Sequence, residues 1–372
     1  MISRTIYINL LVAAFVFCSL RITAPITIYG VSFLLPITIL FFAFVFTRTF
    51  DLKNFLLPLL VVLILITNYF IHSGIWEVYL HGEMYLFIIA NILLYGLVFC
   101  ITDKCVIWLA ILKSTTILIL INSSAIVLQV ILYYVLNYDL DFGILLGGDP
   151  SRNILFGFYR PTGFYAEPSI YAGYMCVFLA LRYAVNSKAD LIFNIGLFSI
   201  LLTFSTFSQL AFVVVGSIVY FKFTIRNVVA LLMLGFVFFY YAFDSLIDRF
   251  ERLTQGDDTS NNLKIGILRY WYENDLYFSG YGIVKKSLFY GELDALGDLT
   301  YYINVFMSFG VFSGLVLFSI IVFSIVASNL SMRSKALIAF SIVKFSAFPH
   351  PFFWVLFFFI STLHKSKNLC LK

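Results

Sequence analysis

Long apolar runs alternate with short polar stretches along this chain of 372 residues. An apolar run of about 17–25 residues is long enough to cross a lipid bilayer as an α-helix. The runs are continuous and do not alternate at every second residue, which argues against a transmembrane β-barrel. We predict about twelve membrane-spanning helices. They lie near residues 5–20, 30–46, 55–71, 84–100, 106–135, 170–185, 190–204, 209–222, 228–243, 300–327, 335–347 and 352–364.

The composition supports this interpretation, because 62% of the residues are hydrophobic, only 12% are charged and the mean hydropathy is +0.99. A soluble domain of this length does not need so much apolar surface. The sequence therefore predicts an all-α, polytopic integral membrane protein. No internal repeat, linker or low-complexity tract divides it, so residues 1–372 are taken as a single domain. No cofactor and no nucleic-acid partner is expected.

Basic residues are concentrated in one set of connections between the predicted spans, and the positive-inside rule makes that set cytoplasmic. The short connections of the other set carry only Arg21. Both termini are then cytoplasmic, and two long loops, residues 136–169 and 244–299, lie outside. The cytoplasmic set comprises Arg4, Arg48, Lys53, Lys104, Arg182, Lys188, Lys222, Arg226, Arg333, Lys335, Lys365, Lys367 and Lys372.

The five cysteines lie in or beside predicted spans or, for Cys370, at the tail. None falls in either long outer loop, so no disulfide is expected.

The segment Arg160-Pro-Thr-Gly-Phe-Tyr-Ala-Glu-Pro-Ser169 precedes the apolar run that starts at Ile170. Pro168 suits the first turn of a helix and keeps Glu167 out of helical geometry, which places Glu167 near the N-cap. Charged groups beside lipid are costly, so Arg160 and Glu167 are expected to be paired or to handle a charged ligand. Two interpretations stay open: a cap paired with Arg160 that orders the loop, or a base that accepts a proton from a sugar hydroxyl.

Arg160, Gly163, Glu167, Pro168 and Ser169 together resemble the R-x-x-G-x-x-x-E-P-S signature of bacterial O-antigen polymerases. In the second loop, Asp258-Thr-Ser-Asn-Asn-Leu-Lys264 resembles a D-x-S-x-x-x-R pattern of the same family, with Lys264 where Arg is usual. That pattern precedes a G-x-G turn, here Gly280 and Gly282. The layout of two large outer loops among about twelve spans is also similar.

The resemblance implies a glycosyltransferase of the cytoplasmic (inner) membrane of a bacterium, acting in O-antigen, lipopolysaccharide or capsule biosynthesis. It would transfer a growing glycan from undecaprenyl diphosphate onto a new lipid-linked repeat unit at the outer face. Its partners would be the lipid-linked donor and acceptor and the membrane lipid, and could include a chain-length regulator and a flippase. Glu167 and Arg160 are the catalytic candidates that this resemblance implies.

Further residues are candidates for binding the substrate. Expelling a lipid diphosphate needs fixed cations, which Arg249, Arg252, Lys264 and Arg269 could supply, although Asp248, Glu251, Asp257 and Asp258 could equally hold them in solvated salt bridges. Gly163, Gly280 and Gly282 allow tight turns or close ligand approach. His350 lies between two prolines at an outer turn and could reach the site.

No metal site is assigned. The only candidate is Asp139-Leu-Asp141, whose D-x-D spacing is common by chance. Ser260 and the residues after it predict an N-capped amphipathic helix with Leu263, Ile267 and Trp271 on one face.

Two alternative functions remain open at this point. An O-antigen ligase of the same superfamily resembles this chain in topology but carries a histidine in the second large loop, and residues 244–299 contain none. A polysaccharide flippase or other transporter would place its polar groups near the membrane midplane, whereas here they cluster in the outer loops.

Overall fold

A computed structural model describes residues 4–19, 36–39, 41, 52–76, 82–145, 150–155, 158–221, 259–284, 299–344 and 350–362. Within these ranges the chain is almost entirely helical, as predicted. A two-residue antiparallel pair, β1 (Ile154–Leu155) and β2 (Phe158–Tyr159), is the exception. The helices are α1 (Arg4–Ser19), α2 (Leu52–Trp76), α3 (Gly82–Ile101), α4 (Lys104–Leu136), α5 (Phe142–Leu145), α6 (Pro168–Asn186), α7 (Leu191–Leu201), α8 (Thr206–Tyr220), α9 (Thr259–Glu273), α10 (Tyr301–Ala327), α11 (Met332–Ile342) and α12 (Pro351–Thr362).

Five of the described helices, α2, α3, α4, α6 and α10, contain segments long and apolar enough to cross a membrane. Four shorter apolar helices, α1, α7, α8 and α12, accompany them. These helices indicate a membrane-spanning protein. They match the predicted runs closely, as for residues 84–100 and α3 (Gly82–Ile101). The predicted span 228–243 lies outside the described residues, and 30–46 is described only at 36–39 and 41, which are helical.

Helix α6 is the centre of the bundle and packs against α4, α7, α8 and α11. Every residue from Tyr171 to Val185 is buried. Small residues on this helix let neighbours approach closely: a Cβ added at Gly173 would lie 3.3 Å from Cβ of Lys344, which follows α11. The helix that begins at the sequence motif is therefore almost wholly enclosed by protein, so the motif lies at the end of a central helix and not of a lipid-facing one.

Side-chain contacts establish which helix ends lie together. At one end, the hydroxyl of Tyr7 in α1 lies 2.6 Å from that of Thr102, and Trp108 in α4 packs on Phe359 in α12. About 9 Å away along α12, at 1.5 Å per residue, Tyr301 at the start of α10 stacks on Phe353. The starts of α10 and α12 face the first half of α6, at Gly173 and Tyr174. This half of the bundle, with the start of α6 and the end of α4, is here called the motif end.

Arg182 and Asp190 form a buried ion pair at the other end of α6. The guanidinium of Arg182 donates to both carboxylate oxygens of Asp190 and to Oγ1 of Thr116, and its side chain is only 6% exposed. The sequence interpretation counted Arg182 among the cations of the connecting segments. That placement was wrong, because the residue lies inside α6 and its charge is neutralised by Asp190.

The expectation of no disulfide was also wrong, since Cys105 is disulfide-bonded; its partner lies outside the described residues. Cys18, Cys100 and Cys176 are buried free thiols.

Helix α10 is broken at Gly310, whose φ of 74° lies in the left-handed region that favours glycine. The segment after α9 crosses α10 at this break, where the amide of Val311 donates to the carbonyl of Tyr277 at 2.7 Å. A Cβ at Gly310 would lie only 2.1 Å from the carbonyl oxygen of Phe278. The glycine therefore serves a close crossing between α10 and the second loop.

Candidate active site

The first long loop folds as an ordered cap over the end of α4. Asn137 adopts left-handed geometry and ends the helix. The carboxylate of Asp141 then accepts hydrogen bonds from the amides of Gly143 and Ser151 and from the Ser151 hydroxyl, each at 2.7 Å. The amide of Arg152 donates to the carbonyl of Ala166 at 2.7 Å, so the two halves of the loop are joined at the motif itself.

Gln129 fastens this loop to the bundle from inside α4. Its side chain is fully buried, and its amide oxygen accepts hydrogen bonds from the backbone amides of Thr162 at 3.0 Å and Gly163 at 2.8 Å. Its amide nitrogen donates to the carbonyl of Leu140 at 2.8 Å. Gly163 has a φ of 60° and packs on the ring of Tyr171. One helix side chain thus holds both the middle of the motif and the start of the loop.

Glu167 is the N-cap of α6, as predicted, with extended backbone angles and Pro168 in the first helical turn. Its carboxylate accepts no hydrogen bond from the helix amides; it forms an ion pair with Arg152 at 2.7 Å. The partner of Glu167 is thus Arg152, whereas Arg160 and Glu167 were expected to pair or to handle a charged ligand. The second alternative stays a prediction. Arg152 and Glu167 meet because the loop folds back between them, and the Arg152 side chain is 77% exposed. An exposed pair of this kind contributes about 0–1 kcal/mol, so the carboxylate is readily released.

Arg160 follows β2 and is half-buried, with its backbone amide donating to the carbonyl of Asn153 at 2.6 Å. The preceding residue, Tyr159, stacks face to face on Tyr133 of α4, with ring centroids 3.9 Å apart. This stacking and the amide bond fix the position of the backbone at Arg160. Arg152 therefore lies shortly before the first strand of this hairpin, and Arg160 directly follows its second strand.

A series of aromatic contacts links the motif to His350. Tyr165 of the motif packs on Tyr174 of α6 with centroids 4.7 Å apart, and Tyr174 meets the ring of His350 edge-on at 5.4 Å. The structure thus places His350 beside Tyr174, about two helical turns from Glu167 along α6, and its role in the site stays a prediction. Lys344 is a further cation there, since its stem packs on Gly173 of α6.

The second loop contributes helix α9, the amphipathic helix predicted from the sequence. Ile267 is completely buried, and Leu263 and Trp271 pack around it in a small cluster that includes Tyr281 and Met307. Of the candidate cations, Lys264 is half-buried and Arg269 is exposed on this helix. Arg249 and Arg252 lie outside the described residues. The substrate-binding role of these four cations stays a prediction.

Gly280 and Gly282 lie where the second loop crosses α10. Their φ values are 77° and 70°, and the amide of Gly282 donates to the carbonyl of Ser308 at 2.9 Å. A Cβ at Gly280 would lie 2.5 Å from the backbone of Ser308 and Gly310. The group that closely approaches these glycines is the backbone of α10. Their role in binding a substrate stays a prediction.

Polar side chains on α2 and α3 also form hydrogen bonds with the segment that crosses α10. Nε2 of His72 lies 2.9 Å from the carbonyl oxygen of Ser279, and Nδ2 of Asn68 donates to that oxygen at 3.2 Å. Because a carbonyl only accepts, His72 is protonated on Nε2. The hydroxyl of Tyr85 donates to Asn68 and accepts from the amide of Ile283. His72 lies inside α2, just beyond the predicted span 55–71, and is completely buried.

Three helix N-termini face the motif end, those of α6, α10 and α12. The first two have no side-chain cap hydrogen bond, at Glu167 and Thr300. Each helix start carries a partial positive charge of roughly half a unit, which favours anions. Arg152, Arg160 and Lys344 add positive charge to the half of the bundle where Glu167 lies, while Asp139 and Asp141 of the same loop add negative charge.

Asp139 and Asp141 serve the fold of the loop. Asp139 accepts a hydrogen bond from Nδ2 of Asn153 at 2.6 Å, and Asp141 accepts hydrogen bonds from the amides of Gly143 and Ser151. Partial burial acts to raise the pKa of Asp141, but the Ser151 hydroxyl and the amides of Ser151, Gly143 and Ile144 outweigh it and lower that pKa. Within the described part of the chain, no three His, Cys, Asp or Glu side chains are grouped as metal ligands.

Sequence reasoning missed Arg152, Gln129 and the cluster around His72. Arg152 precedes the motif by eight residues, and no periodicity links it to Glu167. Gln129 gave a usable signal, because a glutamine two turns from the end of an apolar helix must find polar partners. His72 gave the same signal, but the polar residues around it were interpreted as the end of the span.

No family model, curated protein or solved structure matches this chain. The functional assignment consequently depends on the site itself.

Proposed function

We propose that this protein is a polysaccharide polymerase of the cytoplasmic membrane, which transfers a growing undecaprenyl-diphosphate-linked glycan onto a new lipid-linked repeat unit. The observation that carries the proposal is the position of Glu167. Its carboxylate stands at the start of an enclosed helix, beside Arg152 and in the same half of the bundle as the starts of α10 and α12. A base next to a cluster of positive charge is the combination that glycosyl transfer from a diphosphate requires.

In the proposed reaction, Glu167 accepts the proton of an acceptor hydroxyl. The hydroxyl oxygen forms a bond to the anomeric carbon of the donor, and the bond from that carbon to the diphosphate oxygen breaks. Undecaprenyl diphosphate leaves with the electron pair and with its negative charge. Arg160 and the open helix starts stabilise that charge, and Arg152 exchanges its contact with Glu167 for one with the diphosphate.

The topology that the mechanism needs is supported by the contacts at the motif end. Tyr165 of the first loop packs on Tyr174, which contacts His350 just before α12, while the second loop leads into α10 at Tyr301, which contacts Phe353. Both loops thus adjoin the start of α12. We propose that this is the extracytoplasmic side, that about twelve helices span the membrane and that both termini are cytoplasmic, as the distribution of Lys and Arg indicates.

The experiment is to replace Glu167 by glutamine, which keeps its shape and removes its charge, in a host that lacks its own polymerase. Products should stop at single repeat units. Glu83→Gln is a matched control, because Glu83 is an exposed carboxylate in the first turn of α3. That variant should give full-length ladders. Full-length ladders from Glu167→Gln at normal protein level would remove Glu167 from the reaction.

The two arginines can be separated in the same assay. Arg160→Lys keeps the charge but loses the planar fork, so it should be impaired nearly as much as Arg160→Ala. Arg152→Gln removes an exposed ion pair and one contact to the leaving diphosphate, and it should reduce polymerisation less than Arg160→Ala does. The reverse order of severity would make Arg152 the main cation of the site.

A further inference from the structure

Helix α9 has a second apolar face, which points away from the small core that its first face covers. Ile265, Leu268 and Tyr272 follow one another at helical spacing and are 49%, 41% and 73% exposed. The residues on the opposite side, Leu263, Ile267 and Trp271, are packed against the crossing at α10. A helix that is apolar on two sides needs a second apolar environment.

Exposed apolar side chains also lie just after α9 and on the lateral surface of α10. Phe278, just after α9, stacks on Phe312 with ring centroids 6.1 Å apart, and both rings are more than half exposed. Below Phe312, the surface of α10 carries further exposed apolar side chains, such as Phe323 and Val326. Because α10 is long and apolar enough to cross a membrane, this stripe is a lipid-facing surface.

The break at Gly310 gives the depth of α9. The part of α10 beyond the break, residues 311–327, spans about 26 Å at 1.5 Å per residue, close to the hydrocarbon thickness of a bilayer. The break, and the second-loop segment that crosses it, therefore lie near the edge of the hydrocarbon. Helix α9 is attached at this level through Tyr277 and Gly282.

Two cations border the exposed face of α9. On a helical projection, Lys264 lies on one side of the line from Ile265 through Leu268 to Tyr272, and Arg269 lies on the other. Long basic side chains in such positions extend to the lipid phosphates while their stems cover apolar surface. The two basic side chains thus suit the headgroup region, and the apolar side chains between them suit the acyl chains.

We propose that α9 lies in the plane of the bilayer, with Ile265, Leu268 and Tyr272 inserted among the lipid acyl chains at the level of the headgroups. The occupant of this face is the surrounding bilayer lipid, because α9 is attached at the edge of the hydrocarbon and Phe278, just after it, stacks on Phe312 of the lipid-facing surface of α10. This inference does not depend on the proposed polymerase activity. If both hold, Lys264 and Arg269 lie at the depth where the diphosphate of a lipid-linked substrate is found.

The test uses the full-length protein in lipid nanodiscs. Single cysteines at positions 265, 268 and 272, in a background without native cysteines and with an unchanged melting temperature, carry a nitroxide label. Collision rates are measured with oxygen, which partitions into lipid, and with a water-soluble nickel chelate. Position 273 is the matched control, since Glu273 is exposed one residue further along, off the apolar face.

We expect the ratio of oxygen to nickel collisions to be several-fold higher at 265, 268 and 272 than at 273. Equal ratios at all four positions would show that the face is in water and would overturn the proposal. Exclusion of both reagents at the three positions would mean that protein covers the face, which overturns it as well. Labelling of unmodified protein by a lipid-soluble diazirine provides a second measurement: peptides from 263–275 should be modified.

Discussion

Replacing Gln129 by leucine should release the motif loop while leaving the helical bundle intact. The substitution is close in size but removes the acceptor of the Thr162 and Gly163 amides and the donor to Leu140. Thr162 and Gly163 are buried, so their amides would lose a partner without gaining water. An unsatisfied buried group costs about 1–3 kcal/mol, and the two amides share one partner, so we expect loop opening to become easier by about 2–4 kcal/mol.

The assay is backbone hydrogen exchange of peptides covering residues 158–167, compared with peptides from the centre of α6. An opening free energy lowered by about 2–4 kcal/mol accelerates exchange roughly 30-fold to 1,000-fold in the loop and leaves α6 unchanged. Gln129→Glu keeps an oxygen acceptor but no donor for Leu140, and it should fall between wild type and Gln129→Leu.

Asn122→Leu is the matched control for this prediction. Asn122 is a buried amide on the same helix, about two turns earlier, and its side-chain nitrogen donates to the carbonyl of Leu118 in its own helix. Its replacement should leave exchange at 158–167 unchanged. If Gln129→Leu exchanges at the wild-type rate in this loop, or if Asn122→Leu accelerates it equally, then Gln129 does not hold the motif in place.

Two further predictions concern the crossing at α10 and the fold of the first loop. Gly280→Ala would place a Cβ 2.5 Å from the backbone of Ser308 at a φ of 77°, so it should lower the melting temperature severely, at a cost of about 3 kcal/mol or more; Gly216→Ala has no atom within 4 Å of the new Cβ and should be neutral or gain about 0.5–1 kcal/mol. Equal shifts in the two variants would contradict a role for the crossing. Because hydrogen bonds lower the pKa of Asp141 below its ordinary 3.8, its stabilisation of the loop should be present above that pH and be lost as the pH falls through the folded value. Exchange in residues 142–153 should report this loss, and Asp141→Asn should show no such acid dependence.

The helices could be predicted from the sequence because each apolar run has the length that a bilayer demands. The run at 106–135 and helix α4 (Lys104–Leu136) differ by only a few residues. The position of Glu167 as an N-cap was equally accessible, since Pro168 fixes the local geometry whatever surrounds it. These features depend on residues adjacent in the chain or on one helical repeat.

Other features depend on tertiary contacts that leave no local pattern. The ion pair between Arg152 and Glu167 arises from a hairpin that brings residues fifteen positions apart together. Gly310 breaks the helix within an apolar run that looks continuous in the sequence. The break is made by the loop segment that crosses α10 there. Arg182 was counted as a solvated cation, since its partner Asp190 belongs to the next helix start.

The most direct test of the proposed polymerase is a reconstitution with purified protein. Lipid-linked single repeat units, isolated from cells that lack this protein, are radiolabelled and incorporated into proteoliposomes with the wild-type chain or with Glu167→Gln. The account predicts that the wild-type protein alone converts them to a ladder of longer lipid-linked glycans and that the variant leaves single units. If the wild-type protein carries single units across the bilayer intact, without forming any new glycosidic bond, the protein is a transporter and the proposed function is wrong.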